Sequence, residues 1–383
     1  MKKAIVVRSE CLRYSETFIR EQVLACKSWD ITLVGNENAG GLPLDELNAR
    51  IFRGWLGGQL GRLVWRLGMI PPAVTRQVKA LGAAVAHVHF GTNAVEWMPV
   101  LRRLNVPVIV TLHGYDIMTS RATWARKAHT GFGDYPRKLL TLAKNPNVHF
   151  IAVSEAVKAR AISFGLPAER ITVHYIGIDP ARFTPSPIPV TERPRRILAV
   201  GRLVEKKGGR ILLEAFARVR QAVPDAELVM VGNGPLQGAL EARAAELGVP
   251  VTFTGSLPPA EVKQQMHQAR VFCLPSITAA DGDAEGFGLV ILEAQACGVP
   301  VVTSALGGST EGLIEGVTGF AFAEKDVDTL TQRLAQVLLD DALAARMAAA
   351  GPAFVAERFD VSVRSAELEA YYDDITARGA KRA

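Results

Sequence analysis

The stretch DGDAEGFGLVILEAQACGVPVVTSALGGSTEGLIEG, residues 281–316, runs a glycine-rich loop into an apolar helix start and places Glu285 and Glu293 eight positions apart. The first N–H groups of a helix lack partners within the helix, and the helix dipole adds positive potential there. Gly286 and Gly288 allow the backbone to approach a ligand closely. The pattern therefore predicts an anion site in front of this helix.

The two glutamates suit a different part of the same ligand. A carboxylate does not bind a phosphate, but it accepts hydrogen bonds from sugar hydroxyls. The run between Glu285 and Glu293 is almost wholly apolar, which predicts a buried helix. Since buried carboxylates need compensation, a functional role is favoured over two solvated acids.

The same residues carry a family resemblance. E-G-F-G-L-V-x-x-E over 285–293, followed by A-x-A-C-G-V-P-V-V over 294–302, resembles the signature of family 4 glycosyltransferases of the GT-B type. The resemblance extends to bacterial exopolysaccharide and colanic-acid-type members. It implies an α/β fold of two facing Rossmann-like domains, each with a parallel sheet, and an interdomain cleft.

The resemblance also implies an activity and a set of roles. The protein would be a retaining, metal-independent hexosyltransferase that moves a sugar from a UDP-sugar or GDP-sugar to an acceptor hydroxyl. Glu285 would hold sugar hydroxyls as a catalytic residue, and Glu293 would hold the ribose. The donor diphosphate would be bound by the amides of Phe287, Gly288 and Leu289.

A second loop, GRLVEKKGG over 201–209, follows a predicted buried strand. Arg202 can donate two parallel hydrogen bonds to phosphate oxygens, and Lys207 supplies a compact positive charge. Lys206 is the neighbouring alternative to Lys207. The placement after a buried strand favours phosphate binding over a charged surface loop. G-R-L-x-x-x-K-G also resembles the family's diphosphate clamp. Because these cations would replace a metal ion, we expect no metal and no cofactor.

The first half of the chain contributes a histidine motif. The strand predicted over 106–112 ends in His113-Gly114-Tyr115-Asp116, at the carboxyl end where open α/β sheets place ligands. The motif resembles the family's acceptor-domain histidine, so His113 would reach across the cleft toward the donor sugar as a catalytic residue. Asp116 either borders the acceptor or orients the loop.

Two further histidines precede this motif. His87 and His89 alternate with apolar residues on the predicted strand 85–90, so they share one face. Neither has a cysteine or carboxylate at metal-ligand spacing. A metal site is not expected, and His89 at the strand end is placed near the cleft.

The sequence Ser15-Glu16-Thr17-Phe18 predicts a capped helix start. It also resembles a loop of bacterial polysaccharide glycosyltransferases that faces the cleft. Ser15, Glu16 and Thr17 are therefore candidate acceptor residues. Together with the basic first half, this loop favours a saccharide or lipid-linked acceptor in surface polysaccharide biosynthesis.

The length of 383 residues fits two domains. We predict an N-terminal acceptor-binding domain over 1–182, a proline-rich linker over 183–196 and a C-terminal nucleotide-sugar-binding domain over 197–360. Residues 361–383 would form a helix that crosses back to the N-terminal domain, followed by a tail. A hydrophobic content of 49% and 21% charged residues are typical of globular proteins.

The charge is uneven along the chain. Residues 1–190 carry 24 Lys and Arg against 13 Asp and Glu, and residues 191–383 carry 20 against 25. A basic first half favours an anionic partner, either a membrane surface, a lipid pyrophosphate or nucleic acid. Residues 121–138 are basic, but no nucleic-acid module surrounds them, so a basic acceptor loop is favoured and no nucleic-acid partner is expected.

Residues 51–81 mix Trp55, Trp65 and leucines with Arg53, Arg62 and Arg66. This composition fits a segment at a membrane interface and equally a basic helix packed on its own sheet.

The four scattered cysteines predict reduced thiols in a cytosolic protein. No signal peptide and no membrane-spanning run is visible. A cytoplasmic location is expected, with the protein peripheral at the inner face of the membrane if the contact predicted from residues 51–81 exists.

Two other functions remain open at this point. A nucleotide-sugar 2-epimerase of the same architecture would form product without an acceptor. A non-catalytic sugar-binding or membrane-surface protein would leave the nucleotide-sugar bond intact.

Overall fold

A computed structural model describes residues 1–52, 63–65 and 68–380. Its contacts divide the chain into two compact units, one formed by Met1–Gly177 with Val361–Ala383 and the other by Ile178–Asp360. Each unit is built on one main parallel sheet flanked by helices. The α/β architecture with parallel sheets in two domains is therefore confirmed.

The strands of the first unit are β1 (Lys2–Val7), β2 (Glu10–Cys11), β3 (Trp29–Gly35), β4 (Glu37–Asn38), β5 (Ala49–Ile51), β6 (Val85–His89), β7 (Val108–Leu112), β8 (Val148–Ala152) and β9 (Ile171–Val173). Seven of them form a sheet in the order β5-β3-β1-β6-β7-β8-β9, and β2 pairs with β4 beside it. The pairings between these strands are parallel. Strands β6 and β7 are buried along their whole length, as expected for a sheet covered on both faces.

The helices of the first unit are mostly short. The helices with both ends among the described residues are Thr17–Ala25, Pro72–Ala80, Gly91–Glu96, Met98–Leu104, Tyr115–Met118, Arg121–Arg126, Tyr135–Ala143, Glu155–Phe164 and Val361–Ala380, with 3-10 turns at Ala128–Thr130 and Ala168–Arg170.

The C-terminal helix Val361–Ala380 is part of the core of the first unit. Tyr372 is fully buried and packs edge-on against Trp29, with ring centroids 5.4 Å apart. Glu369 accepts hydrogen bonds from the amides of Ser28 and Trp29 at 2.7 and 2.9 Å. These contacts fix the helix to strand β3.

Two predictions about the first unit change with the structure. Residues 121–138, predicted as a basic loop, are largely helical because Trp124 and Tyr135 are fully buried and pack with ring centroids 4.5 Å apart. Trp65 is also buried and packs on Trp97 with centroids 5.0 Å apart, so it does not face a membrane.

Most of the residues behind the membrane-interface hypothesis, including Trp55, Arg53, Arg62 and Arg66, lie outside the described residues, and that hypothesis stays a prediction. Within residues 1–52, 63–65 and 68–380, no helix combines the length and the apolarity that crossing a bilayer requires.

The strands of the second unit are β10 (Arg196–Val200), β11 (Glu227–Val231), β12 (Val251–Gly255), β13 (Val271–Leu274), β14 (Val301–Ser304) and β15 (Gly319–Phe322). They form a six-stranded parallel sheet in the order β12-β11-β10-β13-β14-β15. The helices of this unit are Gly209–Ala222, Gln237–Glu246, Pro259–Gln268, Val290–Ala296, Val327–Leu339 and Asp341–Phe359, with 3-10 turns at Val190–Glu192, Glu205–Lys207 and Gly307–Gly312.

The proline-rich residues 183–196 belong to the second unit, whose boundary with the first lies at Gly177–Ile178. Phe183 and Val190 are buried, and Val190 joins the apolar core of this unit. The buried Arg193 donates to the backbone carbonyls of Ala269 and Gly298 at 3.0 and 3.1 Å. The segment predicted as a linker is thus packed and hydrogen-bonded.

Strand order also locates the ligand-binding edges. In the second unit successive strands run outward from β10 in one direction and from β13 in the other, so the order reverses between β10 and β13. In the first unit it reverses between β1 and β6. Open parallel sheets bind ligands outside the carboxyl ends of the strands at such a reversal.

Candidate functional site

In the second unit, the two motifs singled out from the sequence meet at the reversal between β10 and β13. The 201–209 loop follows β10, and the loop that contains Glu285 follows β13. Glycine makes this closeness possible. Gly208 has φ +65°, and a Cβ there would lie 1.8 Å from the carbonyl oxygen of Pro275. The first loop therefore lies directly against the start of the second.

Lys207 and Glu285 form a largely buried ion pair. Lys207 Nζ lies 2.5 Å from Glu285 Oε2, and the side chains are 22% and 11% exposed. Ser276 Oγ donates to the same carboxylate oxygen at 3.2 Å. Lys206 pairs instead with Asp283 at 3.0 Å, so it is Lys207 that contacts Glu285.

The electrostatics of Glu285 favour its ionised form. Burial raises the pKa of this carboxyl, but the charges of Lys207 and Lys206 and the hydrogen bonds from Lys207 and Ser276 outweigh burial, and the pKa lies below its ordinary value. Glu285 is therefore a carboxylate at neutral pH and can accept hydrogen bonds from ligand hydroxyls.

The glycine-rich loop enters the helix as expected. Gly288 has φ +86°, a conformation that favours glycine, and Leu289 is the N-cap of helix Val290–Ala296. Among the described residues, the amides of Gly288 and Leu289 have no backbone acceptor. Glu293 lies in the first turn, half-buried, and Phe287 is buried with its ring 5.6 Å from that of Phe359.

Arg202 remains available for a ligand. Its side chain is exposed, and it makes no ion pair or side-chain hydrogen bond within the described part of the chain. An open pocket lies beside it, lined by Arg202 and Lys207 together with apolar residues that include Leu203, Met230 and Leu240. The second unit thus combines an exposed guanidinium, a paired lysine and a carboxylate at one sheet edge.

In the first unit, Asp116 organises the loop that carries His113. Asp116 is fully buried and accepts hydrogen bonds from the amides of His113, Gly114 and Gly91 at 3.0, 3.1 and 2.7 Å. Burial raises the pKa of this carboxyl to about 6, although the amide bonds act against the shift. Of the two roles predicted for Asp116, the structure supports loop orientation, because a buried and saturated carboxylate cannot meet an acceptor.

His113 is the outermost of three stacked imidazoles. The rings of His87 and His89 lie 4.5 Å apart, and those of His89 and His113 lie 5.2 Å apart with an interplanar angle of 28°. The ring of Phe90 lies 4.3 Å from that of His113. Among the described residues, no group of three or more His, Cys, Asp or Glu side chains has an arrangement suited to a metal ion.

The Ser15–Thr17 segment differs from its prediction. The helix begins at Thr17 with Glu16 as N-cap, and Glu16 makes no side-chain cap. Instead the buried Glu16 binds Arg8, with Nη2 2.6 Å from Oε1, and accepts from the amide of Arg13 at 3.2 Å. The capping prediction is therefore wrong, since an ion pair outcompetes the cap. Ser15 is exposed and Thr17 half-buried, and their acceptor roles stay predictions.

Arg8 is a candidate ligand-binding residue that was not singled out from the sequence. It follows β1 at the strand-order reversal of the first unit. Its guanidinium lies 4.8 Å from the centroid of the Phe90 ring, which in turn contacts His113. Two features of the sequence could have identified Arg8: it follows the first predicted strand directly, and the acidic residue Glu16 lies eight positions later.

The buried histidines predict an acid-labile first unit. Burial, followed by the charge of His174, lowers the pKa of His87 from 6.5 to about 3. A histidine with a depressed folded pKa contributes stability above pH 6.5 that is lost as the pH falls toward the folded pKa. As the pH falls from 6 to 4, we expect His87 to lower the free energy of unfolding by about 1.4 kcal/mol for each pH unit. Denaturant unfolding at several pH values measures this dependence. The free energy of unfolding should fall less steeply with decreasing pH in His87→Gln than in the wild type, and an equal pH dependence would contradict this assignment.

Comparisons with known proteins give a consistent result. The family model described as "Glycosyltransferase Family 4" matches residues 18–182, and the one described as "Glycosyl transferases group 1" matches residues 183–354. The GDP-mannose-dependent alpha-(1-6)-phosphatidylinositol monomannoside mannosyltransferase of Mycolicibacterium smegmatis is 30% identical over 371 residues, which cover 93% of this chain and 92% of that protein.

Two further relatives extend the comparison. The amylovoran biosynthesis glycosyltransferase AmsK of Erwinia amylovora is 34% identical over 278 residues, or 71% of this chain and 64% of that protein. The crystal structure of HepE from Anabaena, in complex with UDP and glucose, superposes with a TM-score of 0.79 at 22% identity, covering 97% of this chain and 100% of that one. The HepE comparison concerns the fold alone.

Proposed function

The chain belongs to family 4 of the glycosyltransferases and has their GT-B fold, and on this premise we propose that it transfers a sugar from a nucleotide-diphosphate sugar to an acceptor hydroxyl with retention of anomeric configuration. The observation that supports this most directly is the joint placement of Arg202, Lys207 and Glu285 where the strand order of the second unit reverses.

The proposed chemistry is electrostatic. Arg202, Lys207 and the amides of Phe287–Leu289 neutralise the charge that develops on the departing diphosphate, in the way that preorganised donors stabilise other transition states. Glu293 holds the ribose hydroxyls. Because the protein's own cations offset the phosphate charge, we propose that the reaction needs no metal ion, and EDTA should leave the turnover unchanged.

Glu285 is proposed to bind hydroxyls of the donor sugar without forming a covalent bond to it. When the diphosphate binds, Lys207 can turn one of its three N–H donors toward it while still contacting Glu285. The carboxylate then has lone pairs left for sugar hydroxyls. The departing phosphate takes the proton of the acceptor hydroxyl on the same face. His113 is proposed as the residue of the first unit that contacts the sugar.

We propose a lipid-linked saccharide as the acceptor, in surface polysaccharide biosynthesis. Two findings support this: the mycobacterial relative is named for a phosphatidylinositol monomannoside acceptor, and AmsK for amylovoran biosynthesis. The excess of basic residues in the first half of the chain suits an anionic lipid surface. The enzyme would then work in the cytoplasm, peripherally bound to the membrane. No nucleic-acid partner is proposed.

A thermal-shift panel with UDP, GDP, ADP, NAD and nucleotide sugars tests the donor proposal. A ligand that binds only the folded state at a hundred times its dissociation constant adds about 2.7 kcal/mol, which corresponds to a rise of roughly 5–10 °C for a unit of this size. We expect this rise with one nucleoside diphosphate and its sugar conjugate. A rise with NAD alone, or with none of these, would refute the proposal.

Product analysis then separates transfer from the alternatives. With the matching nucleotide sugar and a lipid-linked acceptor, NMR of the product should show the anomeric configuration of the donor. Sugar epimerised in the absence of acceptor would indicate the 2-epimerase, and an intact nucleotide-sugar bond under all conditions would indicate a binding protein.

A further inference from the structure

The histidine stack contains one hydrogen bond between two ring nitrogens. His89 Nδ1 lies 3.0 Å from His113 Nε2. His89 is 1% exposed, and its other nitrogen, Nε2, is buried without a hydrogen-bond partner. By contrast, both nitrogens of His87 are satisfied, by Tyr372 Oη and Thr111 Oγ1 at 2.6 Å each. His89 therefore carries a fully buried ring nitrogen without a partner, whereas His87 does not.

Both rings of the bonded pair are neutral. Burial, and after it the neighbouring charges that include Arg8, hold the pKa values of His89 and His113 well below the ordinary range. A neutral imidazole has one N–H donor and one acceptor nitrogen. The bond between His89 and His113 therefore contains one proton, and its position decides the tautomer of both rings.

The unpartnered nitrogen of His89 selects between the two arrangements. If His113 donated through Nε2, the proton of His89 would have to lie on its Nε2, which would leave a buried N–H without an acceptor. If His89 donates through Nδ1, its Nε2 is only an unused lone pair. Orphaned buried N–H groups are rarer in proteins than unused acceptors. The second arrangement is therefore favoured.

We propose that His89 is a positioning residue that donates from Nδ1 to Nε2 of His113 and so fixes His113 as the tautomer protonated on Nδ1. The residue His113 is half-buried. Among the described residues its Nδ1 has no hydrogen-bond partner, and this atom is not one of the fully buried unpartnered nitrogens. His113 then presents a permanent N–H donor to a ligand, with Asp116 fixing its backbone and Phe90 its ring. A donor of this kind suits a sugar hydroxyl or a phosphate oxygen.

Histidine-selective ¹⁵N NMR of the full chain tests the tautomer directly. The protein has seven histidines, and the signals of His113 can be assigned by their loss in His113→Asn. We expect Nδ1 of His113 to be protonated and Nε2 unprotonated at pH 7. The amide of His89→Asn can donate from nearly the same position and should preserve this tautomer, whereas His89→Leu should give a mixture. An Nε2-protonated His113 in the wild type, or a tautomer unchanged in His89→Leu, would overturn the proposal.

The kinetic consequence rests on the proposed function, because it requires His113 to contact the donor. Removing an outer partner of a metal-binding histidine typically costs about 10–100-fold, and we expect a fall of that order in kcat for His89→Leu and near wild-type kcat for His89→Asn. The NMR result does not depend on turnover. A wild-type protein that transfers no sugar would therefore refute the proposed function alone, while equal kcat losses in both variants would refute the positioning role alone.

Discussion

Replacement of Arg202 with alanine is expected to lower the turnover of sugar transfer about 10²–10³-fold, the usual loss when one preorganised donor to a developing negative charge is removed. The stability of the fold should be almost unchanged. The Arg202 side chain is exposed and has no ion pair or side-chain hydrogen bond within the described residues, and such surface changes stay within about 0.5 kcal/mol. The same variant should lose most of the thermal shift with nucleoside diphosphate.

Arg210 provides a matched control for this experiment. It is also exposed, lies in the first turn of helix Gly209–Ala222, and likewise makes no ion pair among the described residues. Arg210→Ala removes the same charge from an exposed position eight residues further along the chain and should keep both turnover and thermal shift. Equal losses in the two variants would mean that general positive charge, not the placement of Arg202 after β10, accounts for the effect.

The parts of the site that could be predicted from the sequence are those encoded by short spacing. The 201–209 and 285–293 motifs each follow a strand and enter a helix, and local chain geometry then determines where their glycines and backbone amides lie. The strand-and-helix alternation likewise predicts parallel sheets, because parallel strands need a crossover connection. The fold class and the two loops that we propose to bind the donor could therefore be predicted from the sequence.

Contacts between distant loops could not be predicted in this way. Lys207 and Glu285 are 78 positions apart, and only the pairing of β10 with β13 brings them together. The sequence motif left Lys206 and Lys207 open as alternatives, and the structure distinguishes them because Lys207 pairs with Glu285 and Lys206 with Asp283. The missed pair of Arg8 and Glu16 has the same origin, because a polar helix start looks like a cap until the nearby strand end is placed.

Packing also decides between flexible and fixed segments. Prolines at 183–196 suggested a linker, yet Phe183 and Val190 are buried and Arg193 is hydrogen-bonded to three backbone carbonyls. The proline content of such a segment predicts how rigid its backbone is, but not whether the segment packs against the rest of the domain. The basic region 121–138 was predicted as a loop from its composition, but it is largely helical and its residues Trp124 and Tyr135 are buried.

The ion pair of Lys207 and Glu285 raises the question of whether it serves stability or chemistry. Lys207→Met should destabilise the second unit by about 3–5 kcal/mol, because it leaves a largely buried carboxylate without its partner. Glu285→Gln should cost less, since the Lys207 side chain is 22% exposed and retains access to water. Denaturant unfolding of each variant measures these costs.

The double variant Lys207→Met/Glu285→Gln separates the two roles. Replacing both charged partners is often close to neutral for stability, so the double variant should unfold nearer to wild type than Lys207→Met does, with a coupling of about 0.5–3 kcal/mol. If the pair served stability alone, turnover would recover along with it. Because we assign Lys207 to the diphosphate and Glu285 to the sugar, we expect turnover to stay at least about a hundredfold below wild type in the double variant. Recovery of both properties would refute the assignment, whereas recovery of stability alone would separate the chemical role of these side chains from their mutual attraction.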